Sequence, residues 1–142
     1  MRKIFTFFLF SIIFLSNINY SYSIEPDIFI QSTVNRAAST LSSNLTKEER
    51  ISELKKIAKD TVDIKGIGYY SLGSHRKGLD KDQLSIYSKA FEEYFLKSFS
   101  SRLAEYSNPE IEVNSQKKIN KNYTIVSSTL VATNTRPEVK IE

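Results

Sequence analysis

DKDQLSIYSKAFEEYFLKSFSSRLAEY, residues 80–106, is the longest stretch of the chain that keeps one hydrophobic period. Leu84, Tyr87, Phe91, Tyr94, Phe95, Phe99, Leu103 and Tyr106 recur at three- and four-residue spacing, which predicts one amphipathic helix running to about Tyr106. Asp80 and Gln83 stand in capping-box order at its start, and Asn108-Pro109 stops it. A helix with so bulky an apolar face cannot bury it alone, so the elements on either side must supply partners.

Upstream, Pro26 sits where the first turn of a helix tolerates it. From Asp27 onward Phe29, Ile30, Val34, Ala37, Ala38 and Leu41 repeat at helical spacing, and Ser42, Ser43 and Asn44 end the pattern. Thr46 and Glu49 form a second capping box, opening a helix with Ile51, Leu54, Ile57, Ala58 and Val62 on one face. Its other face carries Glu53, Lys55, Lys56 and Lys59. Asp63 caps a short third helix, DIKGIGYYSL, that presents Ile64, Ile67 and Leu72. All four glycines lie between Gly66 and Gly78; they are expected to loosen this helix and to make SLGSHRKGLD a loop.

Downstream of Pro109 the period changes from helix to strand. Ile111 and Val113 alternate with Glu110, Glu112 and Asn114, predicting a short half-buried strand, and QKKINKN reads as a polar turn. NYTIVSSTLVAT is rich in β-branched residues, and a further strand begins with Val139 and Ile141 after Asn134-Thr135-Arg136-Pro137. The sequence stops at Glu142 within that strand, which leads us to expect that a C-terminal portion is missing.

The N-terminal segment follows the order of an export signal. Arg2 and Lys3 precede the apolar run Ile4–Leu15, and SNINYSYS then offers Ser21 and Ser23 as a small-x-small cleavage pattern. A retained membrane anchor is the competing reading, but Asn17 and Asn19 interrupt the run well short of the roughly 20 apolar residues a span needs. Residues 1–23 are therefore expected to be a signal peptide and 24–142 one small domain. Richness in Ile, Asn, Lys and Ser is what an AT-rich bacterial genome encodes, which makes the expected compartment the periplasm.

The whole chain has 20 basic and 16 acidic residues, and Arg2 and Lys3 are the only charges before Ile24. A balance so near neutrality does not make a nucleic-acid-binding face. With no cysteine, neither disulfides nor thiol chemistry is available. His75 is the single histidine, so histidine metal clusters and Ser-His-Asp triads have too few members; in GSHRKG it reads as a solvated loop residue. Glu92 and Glu93 are adjacent on a helix and diverge, and GIGYYSLG has neither dinucleotide- nor phosphate-loop spacing. No enzyme, metal site or cofactor is expected. The aromatic stripe remains, either as ordinary core or as the wall of an apolar pocket.

At these residues the chain resembles a known family. FIQSTVNRA, then KEERISELKKIAKDTVDIKGIGYYSLG, then QLSIYSKAFEEYFLKSFSSRLAEY are similar in order and spacing to the MlaC family of periplasmic phospholipid-transport proteins, also called toluene-tolerance auxiliary proteins. Val62, Asp63, Ile64, Ile67, Gly68, Tyr69, Leu72 and Gly73 echo one family run; Phe91, Phe95, Phe99, Arg102, Leu103 and Tyr106 echo another. His75 and Arg76 depart from it, standing where members often carry an aromatic pair. Members also continue beyond this endpoint with more strands and a final helix.

The resemblance implies an α+β fold in which N-terminal helices and one long helix pack on a curved antiparallel sheet around an apolar cavity, the sheet being incomplete here. It implies a carrier that takes phospholipid between an outer-membrane lipoprotein complex and an inner-membrane ABC transporter, maintaining outer-membrane asymmetry. The expected lining is Ile64, Ile67, Leu72, Phe91, Tyr94, Phe95, Phe99 and Leu103 from the helices, with Ile125 and Leu130 from the strands. A solid-core domain that binds other proteins and holds no ligand is the alternative.

Overall fold

Two capping boxes organise the helical half of the molecule. A computed structural model describes residues 24–131 and 137–142; the expected signal peptide and its cleavage site lie outside the described residues. Helix α1 spans Pro26–Ser42 with Pro26 in its first turn. Helix α2, Lys47–Thr61, opens with the Thr46–Glu49 box, and α4, Lys81–Leu103, with the Asp80–Gln83 box, both formed reciprocally. Each box satisfies two of the N–H groups that a helix start leaves without partners. Between them α3, Ile64–Ser71, begins at Asp63, whose carboxylate accepts the Gly66 N–H at 2.9 Å.

Three expectations about this half need correction. The glycines do not loosen α3: Gly66 and Gly68 both lie within it, and Gly68 is buried. A Cβ at Gly68 would stand 2.9 Å from Cδ1 of Phe91, so glycine here lets α3 approach α4 closely. SLGSHRKGLD is not all loop either, since Gly73–Gly78 forms a 3₁₀ turn that starts from Gly73 at a left-handed φ of 54°. The long helix also ends at Leu103, short of Tyr106; the reversal follows through Ala104 and Asn108, which has φ 51°.

Helix α4 packs mainly against α2 and α3. Its buried stripe is Leu96, Ser100 and Ala104, spaced by four residues. Ser100 is wholly buried, and its hydroxyl donates to the Leu96 carbonyl, so the polar group needs no other partner. Leu41, Leu54 and Ala104 form one core cluster, flanked by Ala37, Ile51, Leu103 and Tyr106. Ala58, Ile64 and Leu96 form a second, flanked by Val62, Phe91 and Phe95.

The sheet has three antiparallel strands in the order β1 (Ile111–Asn120), β2 (Tyr123–Leu130) and β3 (Val139–Ile141). QKKIN is strand, not turn: Gln116 pairs with Val126, Lys117 with Ile125 and Lys118 with Thr124. Only Lys121 and Asn122 turn, and Asn120 Oδ1 accepts the Asn122 N–H at 2.9 Å. Asn114 and Ile119 have no partner across the ladder, so β1 bulges twice while β2 runs regularly. Helix α1 lies on the sheet, contacting β1 and β2. The α+β class with an antiparallel sheet is as expected.

Candidate functional site

Apolar surface that the core does not consume collects in two places. On α4, Tyr87, Phe91, Phe95 and Phe99 follow at intervals of four residues and stack in sequence, with centroids 5.9, 6.2 and 5.4 Å apart. Such spacing puts successive rings one above another on one helix face. Phe91 and Phe95 lean on the Ala58–Ile64–Leu96 cluster, whereas Phe99, at the end of the ladder, is 37% exposed. Tyr87 ties the other end to α3 through a 2.7 Å hydrogen bond between its hydroxyl and that of Ser71.

The second place is a cleft of about 520 Å³ where the first turns of α1 cross β2. Pro26, Phe29 and Ile30 form one wall, and Tyr123, Thr124, Ile125 and Val126 the other, with Glu142 at the margin. Its volume falls in the roughly 300–1,000 Å³ of ordinary ligand pockets. A larger groove of about 700 Å³ between α1 and α2 is shallower and more open, and polar residues such as Gln31, Ser32, Asn35, Arg36 and Glu53 outnumber Ile28 and Ile57 around it. Its neighbourhood is bridged by the Arg36–Asp60 ion pair at 3.1 Å. The smaller cleft is the better match to an apolar ligand.

The expected lining residues thus fall into separate settings. Ile64 is buried in the second core cluster, with Phe91 and Phe95 against it. Leu103 packs on the first cluster. Ile67 is 43% and Tyr94 68% exposed, and Leu72 is half-buried at the end of α3. Ile125 lines the α1–β2 cleft. Leu130 is half-buried near the other end of β2; the odd spacing between the two on a regular strand turns them to opposite faces of the sheet. Phe29, Ile30, Tyr123 and Val126 were not among the expected lining. The helical period of Phe29 and Ile30 and the β-branched run holding Tyr123 and Val126 are visible in the sequence, but only the crossing of α1 over β2 brings them together.

Among the described residues, no group of three or more His, Cys, Asp or Glu is placed to hold a metal. His75 is exposed in the 3₁₀ turn. The Glu49 carboxyl is held below the usual glutamate range by the Thr46 backbone N–H and then the Thr46 hydroxyl. That shift belongs to a helix cap. No helix among the described residues is long and apolar enough to cross a membrane.

A helical bundle joined through α1 to a three-stranded antiparallel sheet, with an aromatic ladder and an apolar cleft, defines an α+β domain whose distinctive surfaces are hydrophobic. The chain belongs to the MlaC family: residues 31–142 match the model of the MlaC protein. The fold is also that of the phospholipid-binding protein from Ralstonia solanacearum, solved in complex with a phospholipid. That likeness has a TM-score of 0.64 at 12% identity and covers 84% of this chain and 71% of the other. Comparison with curated proteins found no match.

Proposed function

We infer that the chain is a periplasmic phospholipid carrier, exported by residues 1–23 and folded as one lipid-binding domain over 24–142. The observation that carries this reading is membership of the MlaC family across residues 31–142. The apolar cleft and the partly open aromatic ladder support it. A carrier needs apolar surface and a route in, and no reacting group. Each acyl methylene removed from water contributes about 0.8 kcal/mol, on the order of 12 kcal/mol for a chain of some sixteen carbons. Of the expected lining, Ile125 in the cleft and Phe91, Phe95 and Phe99 on the ladder are the candidate lipid contacts. In cells the carrier would pass lipid between an outer-membrane lipoprotein complex and an inner-membrane ABC transporter, preserving outer-membrane asymmetry.

Solvent extraction of the purified protein, followed by mass spectrometry, should recover phospholipid in near-stoichiometric amount. Protein that folds cooperatively yet carries none would sink the reading. One observation favours a second reading, a solid core around the ladder: Phe91 and Phe95 already rest on buried residues. Phe95→Trp separates the two. If the ladder faces lipid, the larger ring reduces bound phospholipid. If the ladder is core, lipid is unchanged and overpacking lowers stability by about 1–3 kcal/mol.

A further inference from the structure

The far end of the β1–β2 hairpin has a composition that neither the core nor the cleft explains. Lys117, Lys118 and Lys121 are all exposed there, and no acidic residue occurs between Glu112 and Glu138. Between these lysines Ile119 is 48% exposed, at the second bulge of β1, where it has no cross-strand partner. Tyr123, immediately after the turn, is 60% exposed. A solvated hairpin tip accounts for the lysines. It leaves Ile119, set among them, half exposed and without a partner in the sheet.

Basic residues interleaved with an aliphatic and an aromatic side chain are the composition of a bilayer interface. Lysine stems lie along apolar surface while their ammonium groups reach anionic head groups, and tyrosine rings settle at head-group depth. Tyr123 is also a wall of the α1–β2 cleft. The tip and the wall of the cleft therefore share Tyr123. Glu142 is the acidic residue that lines the cleft, together with Tyr123–Val126.

We propose that the tip of the β1–β2 hairpin, Lys117 to Tyr123, docks on anionic lipid bilayers and brings the α1–β2 cleft against them. The surface is a membrane contact that the carrier reading does not require. It rests on that reading only for the purpose of the docking. Near an anionic bilayer each lysine is worth roughly a fivefold gain in partitioning, so three together give on the order of a hundredfold. The attraction is screened once the Debye length shrinks to about 3 Å in molar salt.

The test is co-sedimentation of the full chain, purified after export in a bacterial host, with phosphatidylcholine vesicles and with equimolar phosphatidylcholine–phosphatidylglycerol vesicles. Wild type should prefer the anionic vesicles and lose that preference in molar salt. Lys117→Gln/Lys118→Gln/Lys121→Gln should weaken binding on the order of a hundredfold. Lys47→Gln/Lys89→Gln/Lys97→Gln, the same charge change on α2 and α4, should weaken it only a few fold. Ile119→Ser/Tyr123→Ser should weaken binding even in low salt. Equal losses in the two lysine triples would overturn the proposal, because net charge alone would then explain the binding. So would a wild type that ignores anionic vesicles, which would point to an acidic protein as the partner of the tip. Phospholipid extracted from the same preparations keeps the two readings apart: a wild type that sediments but contains no lipid refutes the carrier and leaves the docking standing.

Discussion

The helical half and the hairpin solve the same problem with opposite means. Helices α2, α3 and α4 are held by side chains: Leu54 is 1% and Ala58 1% exposed, and both core clusters lie among the helices. In β1, by contrast, every residue from Asn114 to Asn120 is exposed, and the strand persists on its ladder with β2. Burial fixes the first region and backbone pairing the second. Side-chain changes should therefore be costly in one and nearly silent in the other.

The largest expected effect is in the helices. Leu54→Ala removes a fully buried side chain between α1, α2 and the end of α4, and should destabilise by about 2–5 kcal/mol in chemical denaturation. A loss below about 1 kcal/mol would mean that this cluster is not the core. Next comes Gly68→Ala, where the added methyl meets the Phe91 ring and should cost about 1–3 kcal/mol. Combining it with Phe91→Leu should return part of that loss, since the two residues touch. Simple additivity would show that the close approach of α3 to α4 is not the cause.

A smaller effect is expected at the α2 cap. Thr46→Ala should cost about 1 kcal/mol by removing the hydroxyl that accepts the Glu49 N–H. The same hydroxyl helps hold the Glu49 carboxyl below its usual value. That part of the stability is present above the ordinary glutamate range and is lost as pH falls through the lowered folded-state value. The gap between wild-type and Thr46→Ala melts should thus narrow in acid without closing, because the hydroxyl accepts the Glu49 N–H at any pH; a constant gap down to low pH would contradict it. The smallest change is expected at the hairpin. Ile119→Ser should move stability by no more than about 0.5 kcal/mol, and a loss comparable to that of Leu54→Ala would erase the contrast between the regions.

That contrast also explains what was legible beforehand. Thr46–Glu49 and Asp80–Gln83 are local devices spanning four residues, and both formed as their sequence implied. The start of the long helix and the apolar faces of α1 and α2 followed from their period. Gln116–Asn120 did not read as strand because its residues are polar and exposed, and its conformation is dictated by the opposing β2 backbone. Gly68 was misjudged for a related reason: local propensity says glycine weakens a helix, while its role here depends on a ring from another helix. Of the candidate site, the ladder could be read from four-residue spacing. The cleft could not, because Phe29 and Tyr123 meet only through the crossing of α1 over β2.

The two bulges of β1 have a consequence for the protein's behaviour in solution. Among the described strands β1 lies at one edge of the sheet, with its outer row of N–H and C=O groups unpaired by any strand. Such an edge is a template on which a second copy can add and from which fibres grow. Asn114 and Ile119 each interrupt its flatness, and Lys117 and Lys118 place like charges between them. A strand from another copy would have to match both interruptions and bring its own lysines against these. The irregular ladder of β1 is thus a guard against self-association, set on the strand that has no core of its own to hide behind.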